Sequence, residues 1–195
     1  MYERILGLLI IGIVIKLMDD FLDKEIDKIL EKNNYTILIG NSIFPYCLLL
    51  MILALYFNFE ESITYFTASY ATGMAQDYDQ KLPTNIFAWQ ESIFVLFFSV
   101  FFISLYDTIY ALILIFCLQL IDDLIDYNQD KYVNDFNYIK LLGTFPGIII
   151  LLILILISYK YFPVKLLYFS TTIIILYMID YFAQNYLFNQ LYKNK

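Results

Sequence analysis

Long apolar runs recur along this chain, and most approach the length of a bilayer-crossing helix. They fall at about 4–26, 36–57, 61–77, 85–105, 107–127, 138–159 and 163–187. A crossing needs roughly 20 largely apolar residues to cover about 30 Å of hydrocarbon. A soluble domain of 195 residues has no interior large enough for a composition that is 61% hydrophobic, with a mean hydropathy of +0.68. The sequence therefore predicts an all-α, polytopic membrane helical bundle of about seven transmembrane helices, one transmembrane domain over residues 1–195. The first run is short for a crossing, and the third is only moderately apolar, since it carries Thr67, Ser69, Thr72 and Gln76. Pro83 separates the third run from the fourth, whereas the turn at Tyr106 and Asp107 is tight and leaves six or seven crossings open. Aspartates and no small-x-small cleavage site follow the first run, so it is expected to stay in the mature protein.

The chemistry available is narrow. The chain has no histidine, which removes His-centred triads and His-based zinc or haem sites. Cys47 and Cys117 lie in apolar runs without a CxxC partner and read as small buried hydrophobes. Basic residues neither cluster nor exceed acidic ones, so no nucleic-acid partner is expected, and no soluble partner is predictable. Oxygen from carboxylates is what remains for a metal, and that ligand set suits a hard cation.

Those carboxylates are patterned. The first run ends in Asp19, Asp20, Asp23 and Asp27, and the fifth in Asp122, Asp123, Asp126 and Asp130. Every member of the first set is separated from its counterpart by 103 residues, as are Lys28 from Lys131 and Gly40 from Gly143. A proline stands shortly after each glycine, at Pro45 and Pro146. An internal duplication explains these matches together, with repeats at about 4–105 and 107–195 around a central cavity. Four helices separate equivalent positions, so the repeats are expected to run parallel, with both acidic ends on one side. Nine of the 12 basic residues then lie on or nearest that side, against Arg4, Lys160 and Lys165 on the other. The positive-inside bias places the aspartates at the cytoplasmic face of a cell-membrane protein, with its N-terminus outside.

Residues at i, i+4 and i+8 drift by only about 40° per step on a helix, so Asp19, Asp23 and Asp27 form one stripe, flanked by Asp20. Asp122, Asp126 and Asp130 repeat it. Acidic residues finishing a membrane helix at the water interface would explain one such stripe. Two copies, both at C-terminal ends where the helix dipole disfavours anions by about 0.3–1 kcal/mol per group, point instead to a bound cation. A divalent ion such as Mg²⁺ relieves the repulsion and can share the oxygens of an anionic substrate.

The stretch from Asp19 to Asp27 resembles the first aspartate-rich motif of the UbiA superfamily of intramembrane prenyltransferases, NDxxDxxxD, with Asp19 in place of the usual Asn. The stretch from Asp122 to Asp130 resembles that family's second motif, DxxxDxxxD, and the two motifs are four helices apart here as in the family. The resemblance implies a Mg²⁺-dependent membrane prenyltransferase in which Asp20, Asp23, Asp27, Asp122, Asp126 and Asp130 hold the metal that binds a prenyl diphosphate. Asp19 and Asp123 take supporting or alternative ligand roles. Lys28 and Lys131 reach diphosphate as point charges, although the family commonly carries Arg in these loops and the only Arg here is Arg4. Relative to the family, one helix before the first motif and one at the end are missing.

Other polar residues near the acidic side are Asn41, Glu91 and Asp180, of which Glu91 and Asp180 are candidates to orient an unknown acceptor. Interfacial placement or hydrogen bonding between helices is the plainer alternative for each. Lys16, one turn before Asp19 and Asp20, can pair with them or contact phosphate, and snorkelling to the interface competes with both. Among the many aromatics, which should mostly meet membrane lipid, Phe66, Tyr70, Phe97 and Tyr177 are candidates for lining an isoprenoid tunnel. A divalent-cation transporter or channel is the runner-up function, and a non-catalytic membrane partner of the same fold is the third.

Overall fold

The computed structural model describes residues 2–29, 34–74, 78–127 and 137–183. Among these the fold is all helical, and its one isolated bridge joins Lys81 to Phe87. The helices are α1 (Tyr2–Leu22), α2 (Lys24–Ile29), α3 (Thr36–Ile39), α4 (Ile43–Phe57), α5 (Phe59–Met74), α6 (Ala88–Phe102), α7 (Leu105–Asp126), α8 (Tyr138–Leu142), α9 (Thr144–Tyr161) and α10 (Pro163–Ala183). A single 3₁₀ turn, Gly40–Ser42, stands between α3 and α4.

Two of the expected runs are divided by glycine. Gly40 has φ 59° and Gly143 has φ 92°, a left-handed backbone that side chains with a Cβ rarely adopt. The helix expected over 36–57 is thereby cut into α3 and α4, and the one over 138–159 into α8 and α9. Pro45 and Pro146 are each the third residue of the next helix, inside the first turn, where a missing N–H costs nothing. The first run is also interrupted, at Asp23, yet its backbone bonds continue. Asp23 N–H donates to the Asp19 carbonyl at 2.9 Å and Asp27 N–H to the Asp23 carbonyl at 2.8 Å, so the stripe keeps its i, i+4 order.

The tight turn near Tyr106 does separate two helices. Ser104 is extended at φ −173°, its hydroxyl accepts the Asp107 N–H at 3.0 Å and donates to the Asp107 carboxylate at 2.7 Å. This reciprocal cap starts α7 anew after α6. Pro163 begins α10 after the single residue Phe162, and Asn58 alone joins α4 to α5.

Among the described residues, three helices, α7, α9 and α10, are long and apolar enough to cross a membrane. The apolar helices α4 and α6 have 15 residues each, about 22 Å of rise, short of a full hydrocarbon layer. Their outward faces, with Leu48, Leu49 and Ile52 on α4 and Phe94, Phe97 and Phe101 on α6, are exposed as lipid-facing positions would be.

The chain forms two compact units, Met1–Ser62 with Leu167–Lys195, and Ile63–Leu166. In the first, α1 packs along α4 around Leu8, Ile11, Val14, Ile43 and Ala54. In the second, α7 packs on α9 and α6 around Tyr110, Ala111, Leu114 and Leu120. Cys47 and Cys117 are free thiols buried in these cores, as apolar side chains would be.

Candidate functional site: two clasped acidic helix ends

The aspartates at the end of α1 divide by face. Asp19 is exposed, Asp23 half-buried and Asp20 buried. Asp20 turns toward the chain that returns to α3: its Oδ2 accepts the Tyr35 N–H at 2.9 Å. Asn34 completes the connection. Its amide nitrogen donates to the Asp20 carbonyl at 2.6 Å and to the Asp27 Oδ2 at 2.7 Å, while its oxygen accepts the Thr36 N–H at 2.7 Å and the Thr36 hydroxyl. The Tyr35 hydroxyl donates to the Asp180 carboxylate at 2.8 Å, and Lys16 Nζ lies 3.7 Å from the same oxygen. Burial first, and then the hydrogen bond to Asp180, raise the Tyr35 phenol above its ordinary range.

The second unit repeats this construction. Asp122 is exposed and Asp126 half-buried, and the Asp123 Oδ2 accepts the Tyr138 N–H at 2.7 Å. Asn137 donates to the Asp123 carbonyl at 3.0 Å and accepts the Lys140 N–H at 3.0 Å, capping α8. Asn34 and Tyr35 precede Asn137 and Tyr138 by the same 103 residues that separate the aspartates. Burial, then the Asp123 charge, raise the Tyr138 phenol as well.

The expected residues are thus partly gathered. In the first unit Lys16, Asp180, Asp20 and Asp27 belong to one bonded network through Tyr35 and Asn34, and Lys16 pairs with Asp180 on α10. Lys28 is exposed on α2. Asn41 sits in the 3₁₀ turn, and its side chain lies outside the described residues, as do Asp130 and Lys131. Glu91 belongs to the second unit, in the first turn of α6, where it receives the Thr84 hydroxyl at 3.4 Å. Among the described residues, no three acidic or cysteine side chains gather as a group able to hold a metal ion.

Asn34, Thr36 and Asn137, with the backbone amides of Tyr35 and Tyr138, are the residues that sequence reasoning missed. The 103-residue spacing was the available signal, since it holds for both Asn-Tyr pairs.

A cleft of about 390 Å³ opens in the second unit, lined by Thr72, Tyr78, Trp89, Ile93, Phe116 and Tyr138 among others. Its walls are almost wholly apolar, and through Tyr138 it adjoins the Asp123 clasp. Phe97 and Tyr177 are exposed, and neither they nor Phe66 and Tyr70 line this cleft. Helices that are apolar on all sides give no periodic signal for which ring faces inward. No protein-family model, curated protein or solved structure matches this chain.

Proposed function

We propose that the chain is a Mg²⁺-dependent membrane prenyltransferase of the UbiA type, with about seven crossings in two parallel repeats and both acidic ends facing the cytoplasm. The observation that carries the reading is the twofold clasp: two acidic helix ends, 103 residues apart, are tied to the next segment by the same Asp, Asn and Tyr bonds. A chance interfacial cluster gives no reason for that shared construction.

The clasps divide the labour among the carboxylates. Asp20 and Asp123 hold backbone amides and act as positioning groups. We assign the Mg²⁺ stripes to Asp19, Asp23 and Asp27, with Asp122, Asp126 and Asp130. Their donor set is all carboxylate oxygen, which suits a hard divalent ion. Neighbours on one stripe are about 5–6 Å apart at Cβ, so one helix fills only part of the coordination, and diphosphate oxygens suit the rest. A divalent ion held by these carboxylates would supply charge neutralisation to the departing diphosphate.

Lys28 and Lys131 add point charges to that leaving group, and Lys16 joins them if its pairing with Asp180 opens. Asp180, which accepts the Tyr35 hydroxyl, is our candidate to orient the acceptor, with Glu91 the alternative. The apolar lining of the cleft beside Tyr138 suits a hydrocarbon tail. Calorimetry of the protein in nanodiscs, with geranyl, farnesyl and geranylgeranyl diphosphates in Mg²⁺ and again in EDTA, tests the reading. Metal-dependent binding, then transfer to an acceptor, is expected. Metal-independent binding would refute it, and binding without turnover across plausible acceptors would favour a non-catalytic partner.

A further inference from the structure

We infer that Ala71 and Thr72 on α5 are specificity-determining residues that open the cleft of the second unit to a short isoprenoid tail, of the farnesyl class rather than the geranylgeranyl. The 103-residue spacing reaches this helix too. It sets Tyr65, Phe66 and Tyr78 against Tyr168, Phe169 and Tyr181, so α5 is the counterpart of α10. In the same register Ala71 and Thr72 stand where α10 has Ile174 and Ile175. On α10 those isoleucines are 61% and 37% exposed, whereas Ala71 is buried and, with Thr72, lines the cleft. Small residues whose only task is to let helices approach leave no space between them. Here about 390 Å³ stays open.

The lining decides what fits that space. Its hydroxyls are spent on their own helices: Thr72 Oγ1 donates to the Ala68 carbonyl at 3.0 Å and Ser92 Oγ to the Ala88 carbonyl at 2.9 Å. Among the described residues no charged side chain lines the cleft, so an uncharged hydrocarbon is its complement. The cleft begins at Tyr78, Trp89 and Tyr138, beside the Asp123 clasp, and Leu96 stands seven residues beyond Trp89 on α6, about 10 Å of helix. A volume near the lower end of the range usual for ligand pockets admits a short tail and leaves a longer one partly outside. The choice of an isoprenoid over other hydrocarbons rests on the proposed function, and no metal ion enters it.

Trp89 is the only tryptophan of the chain and lines the cleft, so its emission reports the occupant. The protein is placed in nanodiscs of phospholipid brominated along its acyl chains, which quench on contact, and farnesol or geranylgeraniol is titrated in without metal. Farnesol should relieve the quenching saturably, at about tenfold lower concentration than geranylgeraniol. Ala71→Ile with Thr72→Ile installs the residues of α10. That filled variant should need about tenfold more farnesol while its thermal midpoint holds or rises, because the added carbons enter open space. Leu96→Ala, which lengthens the cleft, should bring geranylgeraniol level with farnesol, and it carries the test if the filled variant does not fold. Quenching that farnesol does not relieve makes a bilayer acyl chain the occupant and overturns the inference. Equal responses of the wild type to the two alcohols, or a farnesol response unchanged in the filled variant, overturn it as well. Farnesol behaving as expected while prenyl diphosphates show no metal-dependent binding would defeat the prenyltransferase reading alone. Metal-dependent binding of farnesyl diphosphate that is equal in the wild type and the filled variant would defeat this inference alone.

Discussion

The acidic end of α1 and the acidic end of α7 are built alike, whereas the opposite ends of the same helices are built from opposite materials. Arg4, near the start of α1, pairs with Glu61 at 3.4 Å, just beyond the junction of α4 and α5. Asp107, 103 residues after Arg4, pairs with Lys165, 104 after Glu61, just beyond the junction of α9 and α10. The bridge is in the corresponding place with its charges exchanged. Next to it, α1 meets Asn58 through Gly7, where an added Cβ would lie 2.7 Å from the Asn58 Cβ. The residue 103 after Gly7 is Tyr110, and it stacks on Phe162 with ring centroids 4.4 Å apart.

The difference separates two kinds of constraint. At the acidic ends, directional bonds to backbone amides and carbonyls admit few substitutes, and both ends use the same residue types. At the far ends the acidic partner is held by a local cap of different residues in each unit, Asn58 with Glu61 and Ser104 with Asp107, and the neighbouring volume is filled by Gly7 with Asn58 in one and Tyr110 with Phe162 in the other. Exchanged charges have a further effect: Arg4 facing Lys165, or Glu61 facing Asp107, would set like charges together. Each first helix is thereby biased toward its own hairpin.

The sharpest way to break the equivalence of the acidic ends is to replace Asp23 or Asp126 with Asn. Each change should reduce Mg²⁺-dependent binding of prenyl diphosphate about 100-fold by calorimetry, with little change in packing. A loss confined to one of them would mean that the stripes do different work. At the far end, Gly7→Ala should cost about 1–3 kcal/mol in thermal or denaturant unfolding, because the new methyl meets a side-chain Cβ and a backbone nitrogen that have little room to retreat.

The ion pairs offer a gentler test. Glu61→Lys should destabilise by about 1 kcal/mol, and adding Arg4→Glu, which installs the polarity of the second unit, should restore most of the loss. Failure of the double change to recover would show that the junction needs more than complementarity.

The smallest effect lies in alkaline unfolding. A phenol whose folded pKa is raised above the ordinary 10.0 binds its proton more tightly when folded, so its stabilisation is complete below pH 10 and is lost as pH rises through the folded value. Tyr35→Phe should flatten the decline of unfolding midpoints above about pH 10. Tyr138→Phe should do so less, because Tyr35 alone has its hydroxyl bond to Asp180 among the causes.

Most helices were legible as apolar runs, because length and hydropathy are properties of a continuous stretch. The interruptions at Gly40 and Gly143 were not, since a single left-handed residue leaves the apolar pattern on either side intact. The aspartate repeat was visible because identical residues recur at a fixed spacing. Asn34 and Tyr35 obeyed the same spacing, but neither type has a charge that demands explanation, and their roles depend on which backbone groups they meet. Arg4 with Glu61 and Asp107 with Lys165 were hidden for another reason: their correspondence is one of position and reversed sign, which a search for matching identities passes over.

The two glycines also differ in their distance to the next proline. Pro45 comes five residues after Gly40 and Pro146 three after Gly143, yet both prolines are third in their helices, because the 3₁₀ turn takes up the additional residues. That turn works as slack in a coupling. It lets the connector change length while the clasp at one end and the rotational phase of the long helix at the other stay fixed, so connectors that differ by two residues reach their helices in step.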